Sequence, residues 1–400
     1  MKKKYALILA AGKGTRMKTE LPKCAFPILG KPMIEYIVEN LEKSQIDQIV
    51  TVVGHKKEII QELLGDRSLY AVQEEQLGTG HAALSAASIL EDKEGVTLIL
   101  PGDMPLMEYT LMDKILNSHA EMGNDLTIVS MMFDNPKNYG RVVRDEYGVV
   151  TSIIEENDTN DAQKLIKEVN SSVYVVNNKA LFETLRKVKL NNRKNEYYLT
   201  DIVSLMHQSH KVNTFTVRDP RVTMGINDLY SISIAEKILR DHINKFHMLN
   251  GVSIVNPETV TIGHDVVIEE GVWVYPNTTI VGDSVIKKEA KIGPNTEIRD
   301  SIIDENAEIR HSLVIDSKVG KYTIVGPFAH LRGHAEIGAH NRIGNFVEIK
   351  NSKTGDDTKA VHLSYIGDAE VGARVNFGCG SITVNYDGVN KHKTTIGDDV

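Results

Sequence analysis

Two small residues, two glycines and two cations fall within nine consecutive positions, Leu9 to Met17, read LAAGKGTRM. A further cation, Lys23, follows in Leu21-Pro22-Lys23. Glycines let a backbone turn tightly and aim its N–H groups at an anion. Arg16 and Lys23 add a guanidinium fork and an ammonium point charge at the same mouth. This is equipment for a triphosphate. Asp103, in Pro101-Gly102-Asp103-Met104-Pro105, offers the carboxylate that a phosphate-bridging cation needs, although an isolated Asp at a strand end is more often a turn or cap residue.

Two familiar phosphate loops are excluded. A Walker loop requires Gly, four residues, then Gly-Lys-Ser/Thr, and no glycine stands at the required position before Gly12-Lys13 or Gly14. The dinucleotide fingerprint requires a third spaced glycine that Gly12-Lys13-Gly14-Thr15-Arg16-Met17 lacks.

The elements that must hold these residues are legible around them. Tyr5–Leu9, Ile49–Val53 and Val96–Leu100 read as short buried strands, and Met33–Ser44 and His81–Leu90 as helices. Alternating strands and helices over roughly 225 residues predict a mostly parallel sheet covered on both faces. Ligands on such sheets bind at the carboxyl ends of strands, where both LAAGKG and Pro101-Gly102-Asp103 fall. Asp228 to Leu249 is a continuous amphipathic helical pattern, read as a structural arm; its mixed charges disfavour a membrane-surface helix.

From Gly251 the period changes to six. Ile262, Ile268, Val274, Ile280, Ile286, Ile292 and Ile298 recur strictly; after a phase break the period resumes at Val319, Val325, Leu331, Ile337, Ile343 and Ile349. Such a repeat predicts a parallel β-helix with each aliphatic side chain pointing inward. The expected division is therefore 1–227, an α/β domain; 228–250, a linker helix; and 251–400, the β-helix.

Composition narrows the class. The chain has 400 residues, a net charge of −8 and no basic run with interleaved aromatics, which argues against nucleic-acid binding. No window approaches the ~18 apolar residues of a membrane span. Lys2-Lys3-Lys4 before YALILAA superficially resembles a signal peptide, but the apolar run leads straight into GKGTR and reads as the first strand. Two cysteines in different halves, Cys24 and Cys379, suggest neither a disulfide framework nor a metal cluster. A cytoplasmic protein is the simplest expectation.

As a whole, LAAGKGTRM followed by LPK resembles the signature of sugar-phosphate nucleotidyltransferases. HLRG (His330–Gly333), VEIK (Val347–Lys350), VHLSYIGD (Val361–Asp368) and VNFGCGSITVNYDG (Val375–Gly388) extend the likeness. Across the whole chain and in order, the motifs resemble the bifunctional bacterial N-acetylglucosamine-1-phosphate uridyltransferase/glucosamine-1-phosphate N-acetyltransferase family. The resemblance implies a Rossmann-like domain followed by a left-handed β-helix, usually trimeric. It also implies the substrates UTP, N-acetylglucosamine-1-phosphate, glucosamine-1-phosphate and acetyl-CoA, with magnesium as cofactor.

Carried over by motif, the resemblance makes Arg16 and Lys23 the catalytic cations. Leu9, Ala10, Ala11, Gly12, Lys23, Gln73, Gln76, Gly78 and Thr79 become nucleotide contacts, with QLGTGHA reading uracil. Gly140, Glu155, Asn170 and Asn227 become sugar contacts, and Asp103 and Asn227 the metal side; alone, Asn227 would read as the N-cap of the arm helix. Joining a sugar phosphate to an α-phosphorus needs no general base, because the attacking phosphate, with a second pKa of about 6, is already anionic. Charge neutralisation and alignment are the whole task.

Acetyl transfer poses the opposite problem, since the amine must lose a proton before it attacks. The resemblance assigns His362 as base, and Arg332, Lys350, Tyr365, Asn376 and Lys391 to the sugar phosphate. Asn385 and Tyr386 fall on the acetyl-CoA side. This chain departs from the family pattern at Val361, commonly Gly, and at Cys379, commonly Ala; it ends at Gly397-Asp398-Asp399-Val400, where the family continues with further coils. The expectation is a complete uridylyl site and an acetyl site with an impaired grip on its donor. The alternatives are a nucleotidyltransferase for another sugar phosphate whose β-helix is only a trimerising scaffold, and a non-catalytic regulatory subunit. QLGTGHA, HLSY and NYDG speak against the first; Arg16, Lys23 and Asp103 speak against the second.

Overall fold

The structure, a computed structural model, describes residues 3–12, 14–190 and 195–400; Lys13 of the loop and Lys2 of the leading lysines lie outside these. The chain divides into two compact units, Met1–Ala235 and Glu236–Val400, with the helix Leu229–Leu249 running from one into the other.

The first unit is built on a sheet ordered Val212–Val217, Leu126–Met132, Glu168–Asn177, Val96–Pro101, Lys4–Leu9, Gln48–Val53, Leu69–Val72. From Lys4–Leu9 the chain passes outward to Gln48–Val53 and Leu69–Val72, then returns to the other side of its first strand as Val96–Pro101. The order therefore reverses at the first strand, and the crevice opens between the ends of Lys4–Leu9 and Val96–Pro101. The sheet is not parallel throughout: Glu168–Asn177 runs antiparallel to Val96–Pro101 and Leu126–Met132, with a register shift between Asn170 and Tyr174, and the side strands Arg141–Arg144 and Val150–Ile154 also pair antiparallel. Alternate residues of the first strand feed two cores. Ala6 and Ile8 pack with Ile37, Leu41, Ile60 and Ile115, whereas Leu7 packs with Val50, Ala83, Phe182 and Ile202.

The helix expected over His81–Leu90 is two short ones, Thr79–Leu84 and Ala87–Leu90. Between them the ladder tightens to three-residue bonds, with the Ser85 N–H reaching Ala82 O as well as His81 O and the Ala86 N–H donating to Ala83 O; the Ser85 hydroxyl also donates to the His81 carbonyl. The arm helix begins on Asp228, whose carboxylate accepts from the Ser231 N–H at 2.8 Å. Asp228 rather than Asn227 is thus the cap, which leaves the Asn227 side chain available to the crevice.

In the second unit the inward aliphatics form one buried column from Val260 to Val375. The strands stack in parallel register, as in Ile262↔Ile280↔Ile298↔Val314↔Leu331↔Ile349↔Ile366. The corners are residues with φ near +50°, among them Asn295, Asn306, His340 and Asp357, consistent with a left-handed coil. Across the phase break the inward positions are Ile303, Ile309 and Val314; the steps that start at Ile298, Ile309 and Val314 shorten to five, while Ile303 to Ile309 keeps six. Each short step is a left-handed residue followed by a buried serine, as in Asp300-Ser301, His311-Ser312 and Asp316-Ser317. The serine hydroxyl closes the tightened corner by donating to the carbonyl two residues back. It also accepts an N–H from the next coil, Ser317 N–H to Ser301 Oγ at 3.1 Å.

Candidate active sites

At the mouth of the crevice, Leu9 and Pro101 are register partners, and the Gly102 N–H donates to the Leu9 carbonyl at 2.9 Å. The glycine loop and the Asp103 turn therefore leave the sheet side by side. Gly14 sits at φ +60°, and a Cβ there would stand 2.7 Å from Lys23 Cβ, so only glycine lets the loop pass this close to Lys23. A Cβ on Gly12 would meet nothing within 4 Å, so the space beside it is open to a ligand.

The turn Lys23–Ala25 aims Lys23 Nζ at the carboxylate of Asp103, with which it forms an ion pair. Lys23 Nζ also donates to Asn227 Oδ1 at 3.1 Å, and Arg16 donates to the same oxygen at 2.7 Å. The Ile226 N–H, 2.9 Å from the Asp103 carbonyl, fastens this segment to the turn. A Cβ on Gly225 would come within 3.7 Å of both Asp103 carboxylate oxygens, so its absence keeps that side clear. Asp103 is buried, and its Oδ1 has no hydrogen-bond partner among the described residues. A carboxylate oxygen and an amide oxygen converging in a shielded pocket are hard donors, and they fit a divalent cation of the oxygen-preferring kind. Cys24 is buried against Gly102, and burial, with the Asp103 charge second, pushes its thiol up to about 12.

Behind this mouth lies a cavity of about 450 Å³ lined by Leu9, Ala10, Ala11, Gly12, Lys23, Gln73, Gln76, Gly78, Thr79, Asp103 and Glu155. Gln73 is buried, its amide donating to the Gly78 carbonyl at 3.1 Å and lying 3.1 Å from His81 Nδ1. Gly78 adopts φ +112°, and a Cβ there would stand 2.5 Å from the Tyr197 carbonyl oxygen. That close approach lets a second segment latch on: Gly80 N–H donates to Tyr197 O, Tyr197 N–H to Leu77 O, and Leu199 N–H to Thr79 Oγ1.

Four sequence-predicted residues lie outside the cavity lining. Arg16 and Asn227 stand at the mouth, as described. Gly140 abuts Glu155, whose Oε2 would be 3.6 Å from a Cβ at that position. Asn170 occupies the register shift of the antiparallel strand, its amide donating to Tyr174 Oη at 2.6 Å and its Oδ1 accepting from Ser172 N–H at 3.0 Å. Conversely, Ser172, Tyr174, Glu196, Tyr198 and Thr200 line the cavity and were not foreseen. The string NEYYLTD (Asn195–Asp201) is the signal that could have located most of them. Thr200 donates to Glu155 Oε1 at 3.2 Å. The Tyr198 hydroxyl is buried without a partner among the described residues; burial, then Asp158 and Glu155, push it up to about 12.

In the β-helix, Arg332, Lys350 and Gly367 are register partners in successive coils, and Arg332 pairs with Glu348 at 2.6 Å. Asn385 donates to Tyr365 Oη at 3.3 Å and to Asp368 Oδ2 at 2.5 Å. Asp368 also accepts from Asn351 at 2.6 Å. That Asn351 bond chiefly holds the Asp368 carboxyl below its usual range; Asn385, Lys350 and Lys391 act in the same direction. Asp368 was not singled out from sequence although it closes the VHLSYIGD string. His362 is exposed; its carbonyl accepts from Ser364 Oγ at 2.8 Å. Among the described residues, no hydrogen bond joins His362, Asn376 or Tyr386 to the Arg332–Asn385 group. Asn376 pairs with Lys359, and Tyr386 closes its own turn onto the Gly388 carbonyl.

A cation-lined crevice at a switch point, followed by a six-residue coil, has the layout of a nucleotidyltransferase joined to a hexapeptide-repeat transferase. Residues 5–221 match the family described as nucleotidyl transferase, and residues 265–300 and 316–351 match bacterial transferase hexapeptide repeats. The bifunctional protein GlmU of Acholeplasma laidlawii (strain PG-8A) is 59% identical over 398 residues, covering 100% of this chain and 86% of that protein. The bifunctional proteins GlmU of Geobacillus sp. (strain WCH70) and Exiguobacterium sp. (strain ATCC BAA-1283 / AT1b) are each 46% identical, covering 87% and 88% of their lengths. The chain belongs to the GlmU family of bifunctional enzymes, which pair uridylyl transfer with acetyl transfer. No helix among the described residues is long and apolar enough to cross a membrane.

Proposed function

We propose that the first unit transfers the uridylyl group of UTP to N-acetylglucosamine-1-phosphate, releasing pyrophosphate and UDP-N-acetylglucosamine. The observation that carries this reading is the convergence of Arg16, Lys23, Asp103 and Asn227 at the mouth of the Leu9–Gly12 loop. The sugar phosphate attacks the α-phosphorus as an anion. Lys23 and Arg16 offset the charge that gathers as the two anions meet, and backbone N–H groups of the loop orient the triphosphate. Gln73, Gln76, Gly78 and Thr79 receive the base, while Gly140, Glu155 and Asn170 hold the sugar. Asp103 and Asn227 would hold magnesium, which supplies positive charge beside the phosphates when bound.

In the β-helix, His362 takes the proton from the glucosamine-1-phosphate amine as that amine attacks the acetyl thioester of acetyl-CoA. Arg332 and Lys350, with Tyr365, Asn376 and Lys391, hold the sugar phosphate; Asn385 and Tyr386 face the acetyl donor. The hexapeptide coil supports assembly as a homotrimer, and the reading places the enzyme in the cytoplasm.

A paired assay tests both halves. One arm supplies UTP, magnesium and N-acetylglucosamine-1-phosphate and follows pyrophosphate; the other supplies acetyl-CoA and glucosamine-1-phosphate and follows thiol. Both products are expected. Pyrophosphate without thiol would reduce the coil to a scaffold, and neither product from folded protein would overturn the enzymatic assignment.

A further inference from the structure

Asn227 Oδ1 accepts from Arg16 at 2.7 Å and from Lys23 at 3.1 Å. An amide oxygen has two lone pairs, so these two donors saturate it. One Asp103 oxygen is engaged by the Lys23 ammonium, and only the other, the buried Oδ1, has no partner among the described residues. A divalent cation arriving alone would meet two positive side chains and a single available oxygen.

We infer that Lys23 and Arg16 serve as internal counterions for the metal ligands, so that the divalent cation and the nucleoside triphosphate are taken up interdependently. The triphosphate supplies oxygens that accept from Lys23 and Arg16. Once those cations turn to the phosphates, the second Asp103 oxygen and Asn227 Oδ1 are released to a metal. By linkage, each ligand tightens the other by the same factor. Lys23 and Arg16 are here positioning residues for the cation, in addition to their roles toward phosphate. The inference rests on the uridylyltransferase reading of this crevice.

The experiment is direct binding of Mn²⁺ to the full chain, followed by the electron-paramagnetic-resonance signal of unbound Mn²⁺, with and without UTP and with no sugar phosphate present. The wild-type protein is expected to bind Mn²⁺ weakly alone and at least about tenfold more tightly with saturating UTP, after correction for Mn²⁺–UTP in solution. Lys23→Met is expected to tighten Mn²⁺ binding without UTP by about tenfold and to shrink the UTP effect. Arg16→Met, at an exposed position that tolerates truncation, is expected to do the same to a smaller degree. Lys56→Met removes a nearby cation that pairs instead with Glu20, and is expected to change nothing. Equal Mn²⁺ affinity with and without UTP would overturn the inference. So would tightening by Lys56→Met comparable to Lys23→Met, or no tightening in either crevice variant. Absence of UTP binding by calorimetry would instead overturn the nucleotidyltransferase reading itself.

Discussion

Leu9 and Pro101, 92 positions apart, are paired in parallel register at the ends of adjacent strands, and that pairing sets the glycine loop beside the Asp103 turn. It delivers the cationic loop and the carboxylate turn to one place, so that Lys23 and Asp103 can meet.

Asp103→Ala is expected to lower UDP-sugar formation by at least about a hundredfold, as loss of a key electrostatic group does. Acetyl transfer and the β-helix circular-dichroism signal should persist. Full uridylyl transfer in this variant would sink the metal-side assignment.

Two glycines of the same crevice should respond differently. Gly78→Ala forces a Cβ to 2.5 Å from Tyr197 O at φ +112°, and is expected to cost about 1–3 kcal/mol of stability and to raise KM for UTP. Gly12→Ala meets nothing and should leave the melting temperature within a degree or two, acting on nucleotide binding alone. Melting curves beside UTP titrations separate the two.

Cys24 is buried with its thiol pushed up to about 12, whereas Cys379 is exposed. Iodoacetamide at pH 8 should label Cys379 alone, read by peptide mass spectrometry, with Cys24 reacting only in denaturant. The linkage has a definite sign. Above about pH 9 the unfolded chain releases the Cys24 proton while the folded chain retains it. Cys24 therefore makes stability fall as pH rises past 9, visible as a declining urea midpoint of the first unit; Cys24→Ala should flatten that decline.

In the coil, Ile298→Ala deletes a fully buried side chain and should cost about 2–5 kcal/mol. Ser317→Ala removes one corner bond, from its hydroxyl to the Ile315 carbonyl; the expected loss is about 1–2 kcal/mol. Calorimetry on each variant checks the ranking. Similar losses would mean that the short corners carry as much stability as the aliphatic column.

The strands, the coil and the cationic mouth were legible because each is written in a short period or a contiguous string. Lys4–Leu9 is an apolar run, and Ile262 to Ile298 a fixed repeat. Ser172 and Tyr174 were not legible, because a register shift in an antiparallel strand brings them to the cavity and leaves no local pattern, whereas Tyr198 stood in a recognisable string whose latch onto Gly78 only the fold shows. Asn227 reads as a helix cap until Asp228 is seen to take that role. The short corners were visible only as a lost phase; their Xaa-Ser code needed the backbone angles.

On the third face of the coil, partners on successive turns lie 16 to 18 residues apart from Ile268 to Val371, yet 25 residues separate Val371 from its partner Ile396. The additional chain is a corner excursion that carries Asn385 and Tyr386, and the strands on either side stay in step. Register partners remain ~4.8 Å apart however long the corner between them grows. Arg332 and Lys350 thus keep their spacing by coil count alone. Such a fold can acquire or exchange side chains by lengthening corners, one at a time, without changing the spacing of Arg332 and Lys350.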